Sequence, residues 1–161
     1  MWRRRLSGED ISARIEADYR PYHAALAAAL AAARARFGLA VLLDVHSMPP
    51  LGRGGARVVI GDRFCRTAAS RFVARVESAA TAAGCSTALN TPYAGGHILD
   101  RHARPTAGVH AIQLELDRSL YLDSRFDRPG PGFAATVALL RQILAALADE
   151  ALTGPMPLAA E

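Results

Sequence analysis

The chain has 161 residues, of which 51% are hydrophobic, and carries a formal net charge of +4 at pH 7. This length and composition predict one domain with a hydrophobic core, and no uninterrupted apolar run reaches the roughly 18 residues of a membrane span. The arginines are scattered and aromatic residues make up only 6%, so neither a nucleic-acid partner nor a membrane is expected.

The first predicted element is a long helical segment. Ser7 and Asp10 fit a capping box, and apolar residues recur at helical spacing from Ile11 onward. Pro21 removes a backbone donor within the segment, which predicts a kink or the meeting of two helices, and Gly38 ends it as a C-cap. The apolar run "LAVLLDVH" that follows predicts a central strand covered on both faces.

The remaining elements alternate. "PPLGRGGA" predicts an irregular loop, "RVVIGD" a strand, residues 64–83 an amphipathic helix, and "STALN" a short strand. The twenty residues that begin with "TPYAGG" and end with "AGVH" predict a long functional loop, and "AIQLELD" predicts a fourth strand. Residues 152–161 are expected to form a frayed C-terminal tail. The last helix is expected to bury an apolar stripe of Phe133, Val137, Leu140, Leu144 and Leu147.

This alternation is typical of a single α/β domain, over residues 1–151, with helices on both faces of a mostly parallel sheet. Such sheets bind ligands beyond the carboxyl ends of their strands. We therefore expect the polar residues at the four strand ends to converge in one crevice. These residues are Asp44, His46, Ser47, Asp62, Arg63, Asn90, Tyr93, Glu115, Asp117 and Arg118.

Two of these residues point to chemistry. Alternation along a strand places Asp44 and His46 on the same side, where Asp44 could orient the imidazole, although His46 taken alone is better explained as a satisfied core histidine. Glu115 lies within "IQLEL", where a buried carboxylate costs several kcal/mol unless a cation or metal compensates it. Arg118 could be that cation in a purely structural pair.

A histidine and a buried carboxylate at one crevice indicate metal-assisted hydrolysis, in which zinc activates a water and a glutamate takes its proton. No GxSxG elbow is present, and "GRGG" lacks the GK[ST] of a phosphate-binding loop. The isolated cysteines Cys65 and Cys85 have no CxxC spacing, and the N-terminal arginines are followed by no apolar stretch. A cytoplasmic protein is expected.

In this order, the motifs "YRPYHAAL", "LLDVHSMP", "VVIGDRFCRTAA", "NTPYAGGHI" and "GVHAIQLELDRSLYLD" closely resemble the N-formylglutamate amidohydrolase family. The resemblance implies a fold similar to zinc carboxypeptidases. It also implies zinc-dependent hydrolysis of N-formyl-L-glutamate to formate and glutamate, in histidine degradation. A rival enzyme function keeps the fold but acts on a different N-acyl amino acid or a short peptide.

The resemblance also implies roles for single residues. His46 matches the metal-binding histidine, Glu115 the carboxylate that activates water, and Arg118 an arginine that could pair with a substrate carboxylate. Tyr93 matches a loop that lines the substrate site, with Asp44 and Ser47 as supporting residues. His110 either holds an oxyanion or packs. Asp117 stands where the family usually has Asn, a negative charge expected to weaken the attraction of Arg118 for an anion.

The resemblance covers residues from about 5 to 150 and corresponds to the C-terminal part of a typical member. The family's front strand, with its "PHSG"-like stretch, has no counterpart here, which predicts an N-terminally truncated domain. Catalytic zinc generally takes three protein ligands, and the resemblance supplies only His46. Exposed sheet surface would favour a dimer, and the alternative function is an inactive remnant that acts as a binding or oligomerising module.

Overall fold

The computed structural model describes residues 5–153, which form an α/β fold. Helix α5 extends to Thr153, and the rest of the predicted tail lies outside the described residues. The strands are β1 (Ala40–Met48), β2 (Val58–Gly61), β3 (Thr87–Leu89) and β4 (Val109–Asp117). The helices are α1 (Gly8–Arg14), α2 (Arg20–Phe37), α3 (Ser70–Ala82), α4 (His97–His102) and α5 (Phe133–Thr153).

The N-terminal helical segment follows the local signals of its sequence. Ser7 Oγ accepts a hydrogen bond from the Asp10 N–H, and Asp10 Oδ2 accepts one from the Ser7 N–H, both at 3.0 Å. A π-helical turn separates α1 from α2 and places Pro21 in the first turn of α2, where a missing N–H leaves no bond unmade. Gly38 ends α2 with a φ of 80°. The capping box, the junction at the proline and the glycine cap are thereby confirmed.

The sheet has the order β1-β4-β2-β3. The pairs β1–β4 and β2–β3 are parallel and β2–β4 is antiparallel, which confirms a mostly parallel α/β sheet. The antiparallel pair makes the expected convergence of four strand ends wrong, because β2 and β3 end at the opposite edge from β1 and β4. At that edge Asn90 Nδ2 donates to Asp62 Oδ1 at 2.8 Å, so these two residues hold a loop together.

Strand β1 lies at the edge of the sheet, not at its centre as its apolar sequence predicts. Within residues 5–153, β4 is its only neighbour. Only its first and last residues, Ala40 and Met48, are buried, and Val45 is 48% exposed. The apolar composition of β1 is typical of a strand that is buried on both faces. The described residues leave most of β1 partly or fully exposed.

Helices cover both faces of the sheet. On one face α3 and α5 pack against Ile112, Leu114 and Leu116 of β4, and on the other α4 packs Leu99 against Ala111. Helix α4 lies within the segment predicted as an unbroken loop. The stripe that α5 buries is Thr136, Leu139, Ile143, Leu147 and Glu150. Of the predicted stripe, Leu147 is buried and Leu140 packs partly buried against the core, Val137 is partly buried, and the prediction is wrong at Phe133 and Leu144, which are exposed.

Candidate active site

The parallel register of β1 and β4 builds the candidate site. It pairs Asp44 with Gln113 and His46 with Glu115. Because side chains alternate along each strand, these four project from the same face, opposite Leu114 and Leu116, which lie in the core against α3 and α5. The structure therefore brings the predicted histidine and glutamate side by side on neighbouring strands.

His46 is held by Asp44, as the alternation predicts. Its Nε2 lies 3.0 Å from Asp44 Oδ2, and the imidazole is 44% exposed. A carboxylate accepts hydrogen bonds, so this contact places the proton on Nε2 and leaves the lone pair of Nδ1 free. A histidine fixed in one tautomer by a carboxylate, with its other nitrogen exposed, is prepared to bind a metal or a proton.

Glu115 is 8% exposed and has a hydrogen-bond partner that the sequence analysis missed. Gln113 Nε2 donates to Glu115 Oε1 at 2.9 Å, while Gln113 Oε1 accepts the N–H of Gly96, also at 2.9 Å. The amide therefore links the 94–96 loop to the carboxylate. A polar residue two positions before Glu115 in an otherwise apolar strand is the signal that could have identified Gln113.

The approach of that loop depends on Gly61. Gly61 pairs with Gln113 across the sheet, and a Cβ added to it would lie 2.7 Å from the backbone of both Ala94 and Gly95. No side chain fits in that space, so only glycine lets the loop lie against the strand. Gly61 at the end of β2 and Gly95 in the loop therefore pack against each other beside the site.

Burial raises the pKa of Glu115, and the nearby His46 and the amide of Gln113 act in the opposite direction. Arg118 contributes least among these groups. Arg118 is not the compensating cation of a structural pair, since within residues 5–153 Glu115 makes no salt bridge with it. A buried carboxylate with a raised pKa is chemically able to accept a proton as a general base.

Replacing Gln113 with leucine should raise the pKa of Glu115 further, because the carboxylate would lose the hydrogen bond that stabilises its charged form. The variant should also lose about 1–3 kcal/mol of stability, since the Gly96 N–H would lose its acceptor. The measurements are the acidic limb of the pH–rate profile and a urea unfolding curve. Gln142→Leu on the exposed side of α5 is the control. Identical profiles for both variants would contradict the role of Gln113.

Arg118 lies just beyond the end of β4, apart from Glu115. Its Nε donates to Ser47 Oγ at 3.3 Å. Ser47 and His46 also help to line a cavity of about 490 Å³ whose other walls include Leu116 and residues of α5, so this cavity lies mainly on the face of the sheet opposite Glu115. The negative charge of Asp117, expected to weaken the attraction of Arg118 for an anion, is engaged by other groups. Asp117 is ion-paired with Arg57 Nε at 3.0 Å, and it accepts the Ser119 N–H at 2.8 Å. The guanidinium of Arg118 is left with no carboxylate partner among the described residues.

Two other residues occupy less informative positions. Tyr93 is partly buried in the loop after the cis Thr91–Pro92 peptide, and no hydrogen bond within the described part of the chain connects it to His46 or Glu115. His110 is buried, accepts the Ala69 N–H at 3.3 Å and packs its ring 4.8 Å from that of Phe72. Of the two roles considered for His110, packing is the one its contacts support.

The described residues offer few donors for zinc. Among residues 5–153, no group of three or more His, Cys, Asp and Glu side chains could hold a metal ion. His46 offers one nitrogen, and Asp44 is engaged as its orienting partner. A catalytic zinc generally takes three protein ligands, so the described residues do not make a complete zinc site.

The helices within residues 5–153 include none with the length and hydrophobicity of a membrane span.

Comparison with known proteins adds to this geometry. A family model described as N-formylglutamate amidohydrolase matches residues 1–122. N-formylglutamate deformylase from Pseudomonas aeruginosa is 36% identical over 135 residues, which is 79% of this chain and 51% of the relative. The Pseudomonas putida protein of the same name is 34% identical over 153 residues, or 88% of this chain and 56% of the relative. The chain spans about half the length of the curated relatives it matches.

Solved structures agree. The crystal structure of N-formylglutamate amidohydrolase from Ralstonia eutropha JMP134 is similar with a TM-score of 0.80 and 32% identity, over 94% of this chain and 56% of that one. A gene product of Agrobacterium tumefaciens has a TM-score of 0.66 at 24% identity, over 89% and 55% of the two chains, and shows the fold alone. From the family match, the identities and the structural likeness, this chain belongs to the N-formylglutamate amidohydrolase family.

Proposed function

We propose that this chain provides the Glu115 and His46 part of a site that hydrolyses N-formyl-L-glutamate to formate and glutamate. The observation that carries the proposal is the pairing of His46 with Glu115 on one face of the sheet, each held by its own polar partner. The names of the two Pseudomonas relatives support the substrate. On the same resemblance we propose that the reaction belongs to histidine degradation and takes place in the cytoplasm, and the free thiols of Cys65 and Cys85 are compatible with a reducing compartment.

The proposed reaction breaks the C–N bond of a formamide by adding water. Glu115 takes a proton from the attacking water as its oxygen bonds to the formyl carbon, and it then gives that proton to the departing amine nitrogen. Gln113 occupies Oε1 of Glu115, so Oε2 is the oxygen that exchanges the proton. The products are formate and the free amino group of glutamate.

We propose zinc as the cofactor on the strength of the resemblance. When bound, zinc would polarise the formyl oxygen and acidify water. His46 Nδ1 is the donor this chain offers, and the site would need further donors that residues 5–153 do not supply. Zinc content of the purified chain, measured for the wild type and for His46→Ala, tests this: equal zinc in both would remove His46 from the site.

Arg118 would bind a carboxylate of the substrate, because it is exposed, lies beside Ser47 at the end of β1 and has no carboxylate partner in the described part of the chain. Replacing Arg118 with glutamine should raise KM about 10- to 100-fold with a smaller change in kcat, as expected for a charge-assisted contact of about 1.5–3 kcal/mol. Arg141→Gln on the exposed side of α5 is the matched control. A KM equal to that of the control would exclude Arg118 from substrate binding.

Formate release from N-formyl-L-glutamate by the purified chain, with zinc supplied, tests the proposal directly. N-acetyl-L-glutamate serves as the comparison, because turnover of the acetyl compound at the same rate would favour a broader N-acyl amino acid specificity. No formate from the chain, in conditions where a full-length relative releases it, would contradict activity of this chain by itself.

A second candidate function rests on the open edge of β1. An apolar nine-residue edge strand with no proline is a template for pairing with another chain. The chain would then be a catalytically inactive binding or oligomerising module, and a homodimer is one outcome. The molecular mass in solution distinguishes the candidates when it is combined with the formate assay: a dimer without formate release would favour the module.

A further inference from the structure

A groove between the first turns of α2 and helix α4 carries a concentration of basic side chains that the proposed reaction does not use. It encloses about 650 Å³, and neither His46 nor Glu115 lines it. We call it the basic groove. Its basic residues are Arg20, His23, His97, Arg101, His102 and Arg104.

The histidines of the basic groove are connected to each other and to a tyrosine. His23 Nδ1 lies 2.7 Å from His102 Nε2, and Tyr19 Oη lies 2.7 Å from His97 Nε2. The rings of His23 and His97 meet edge to face at 5.5 Å. These contacts cross from the N-terminal helical segment to α4, so the groove is formed by tertiary packing and not by one flexible loop.

Negative charge is largely neutralised around the groove. Asp100 is the only acidic residue that lines it among the described residues, and its carboxylate is paired with Arg63 Nη2 at 2.7 Å. Arg20 is paired with Glu16. Arg101 lies over the ring of Tyr19.

Two guanidinium groups remain available. Arg104 donates to the carbonyl oxygens of Asp100 and Ala103, and neither Arg101 nor Arg104 has a carboxylate partner within residues 5–153. These two guanidinium groups and three imidazoles line the same cavity, and their charge and N–H groups attract anions. The charge of this lining favours an oxyanion with several acceptor oxygens over a neutral ligand.

We propose that the basic groove binds an oxyanion with two or more negative charges, such as a phosphate group or a dicarboxylate, at a site separate from Glu115. The His23–His102 pair adds proton linkage. One shared proton lies between the two rings, so one outer nitrogen lacks a proton, and uptake of a single proton turns both outer nitrogens into donors. A bound anion would favour that uptake.

The charges around this pair determine the direction of the pH dependence. Burial and the positive charge of Arg101 lower the pKa of His23 and of His102 in the free chain, and His97 acts in the same direction. From the N-terminal segment Tyr19 and Arg20 face the cluster, and from α4 and its end Asp100 and Arg104 do so. An anion raises the histidine pKa values again, so the affinity for glutarate, which stays largely doubly ionised, should increase as the pH falls from about 8 towards 6. Phosphate loses its second charge over the same range, so its affinity should increase less.

The experiment is a titration of the full chain with inorganic phosphate, and separately with glutarate. The readout is the NMR signals of the five histidine rings, which are assigned with single His→Gln variants. The expected result is movement of the His23, His97 and His102 signals with either anion, while those of His46 and His110 stay. A response to phosphate alone or to glutarate alone supports the proposal and identifies the source. No response to either anion, or movement confined to His46, would overturn it.

Two double variants distinguish anion binding in the basic groove from a general effect of surface charge. Arg101→Gln/Arg104→Gln should weaken binding of the anion about tenfold or more, because it removes two positive charges and their charge-assisted hydrogen bonds. Arg53→Gln/Arg141→Gln removes the same charge from exposed positions outside the groove and should leave the affinity within about twofold. Equal weakening in both pairs would overturn the site. Because the readout is binding without turnover, it does not depend on the proposed hydrolysis.

Discussion

Replacing Glu115 with glutamine should reduce kcat for formate release about 10²- to 10⁴-fold, the usual contribution of a general base. Glutamine has nearly the same volume and keeps an oxygen that can accept the Gln113 amide, so the register of β4 beside β1 should survive. What the variant loses is the ability to take a proton from water. The measurement is kcat and KM for N-formyl-L-glutamate at saturating zinc.

Glu77→Gln is the matched control. Glu77 lies on α3, away from the site, and accepts the Thr87 hydroxyl at 3.2 Å. It should retain the wild-type rate. A loss of less than about tenfold in Glu115→Gln, or an equal loss in Glu77→Gln, would show that Glu115 is not the base.

Burial of Glu115 also predicts how activity and stability change with pH. Its raised pKa in the folded chain means that the ionised, active form appears at a higher pH than for an ordinary glutamate, so kcat should rise with pH through that shifted value. Stability changes in the opposite sense: the cost of ionising Glu115 appears as pH rises above its unfolded pKa and is complete above its folded pKa. Glu115→Gln should therefore be at least as stable as the wild type at pH 8.

The pairing of His46 with Glu115 follows from the sequence because both local signals are strong. In "LLDVH" and "IQLEL" the polar residues stand at alternate positions of an apolar strand, so they project from one face. The carboxyl ends of parallel strands also meet at one edge of a sheet. The contact of Asp44 with His46 follows from the same alternation. These features depend on spacing within one strand and on a single pairing.

The direction of β2 and the position of β1 depend on contacts that no local pattern contains. A short apolar run such as "VVIG" reads the same in either direction, so the antiparallel β2–β4 pair and the separation of Asp62 from the site could not be predicted. The edge position of β1 is equally hidden, because its composition indicates burial on both faces. The His23–His102 contact joins residues 79 positions apart and depends on the packing of α2 against α4.

The two faces of the sheet differ in how complete they are within residues 5–153. Against α3 and α5 the sheet has a closed apolar core with fully buried side chains such as Phe72, Ile112 and Ile143. On the other face, the exposed half of His46 and the unpaired edge of β1 leave the site open. The described residues therefore place the candidate residues His46 and Glu115 on a sheet with an apolar core of its own.

Phe72→Ala tests that core and should destabilise the chain by about 3–5 kcal/mol, the range for removing a fully buried aromatic ring. Phe72 is 0% exposed and packs from α3 against the sheet and the ring of His110. Domains of this kind are stable by only about 5–15 kcal/mol in total, so the variant should approach the unfolding threshold. The measurement is the free energy of unfolding in urea.

Phe64→Ala removes the same ring from a position that is 65% exposed, and it should change stability by no more than about 0.5 kcal/mol. If the two variants were equally stable, the packing of α3 on the sheet would contribute little, and the described residues would lack an independent core. A large difference between them, with one cooperative transition in the wild type, would show that the face opposite the site supports Glu115 and His46 without help from another chain.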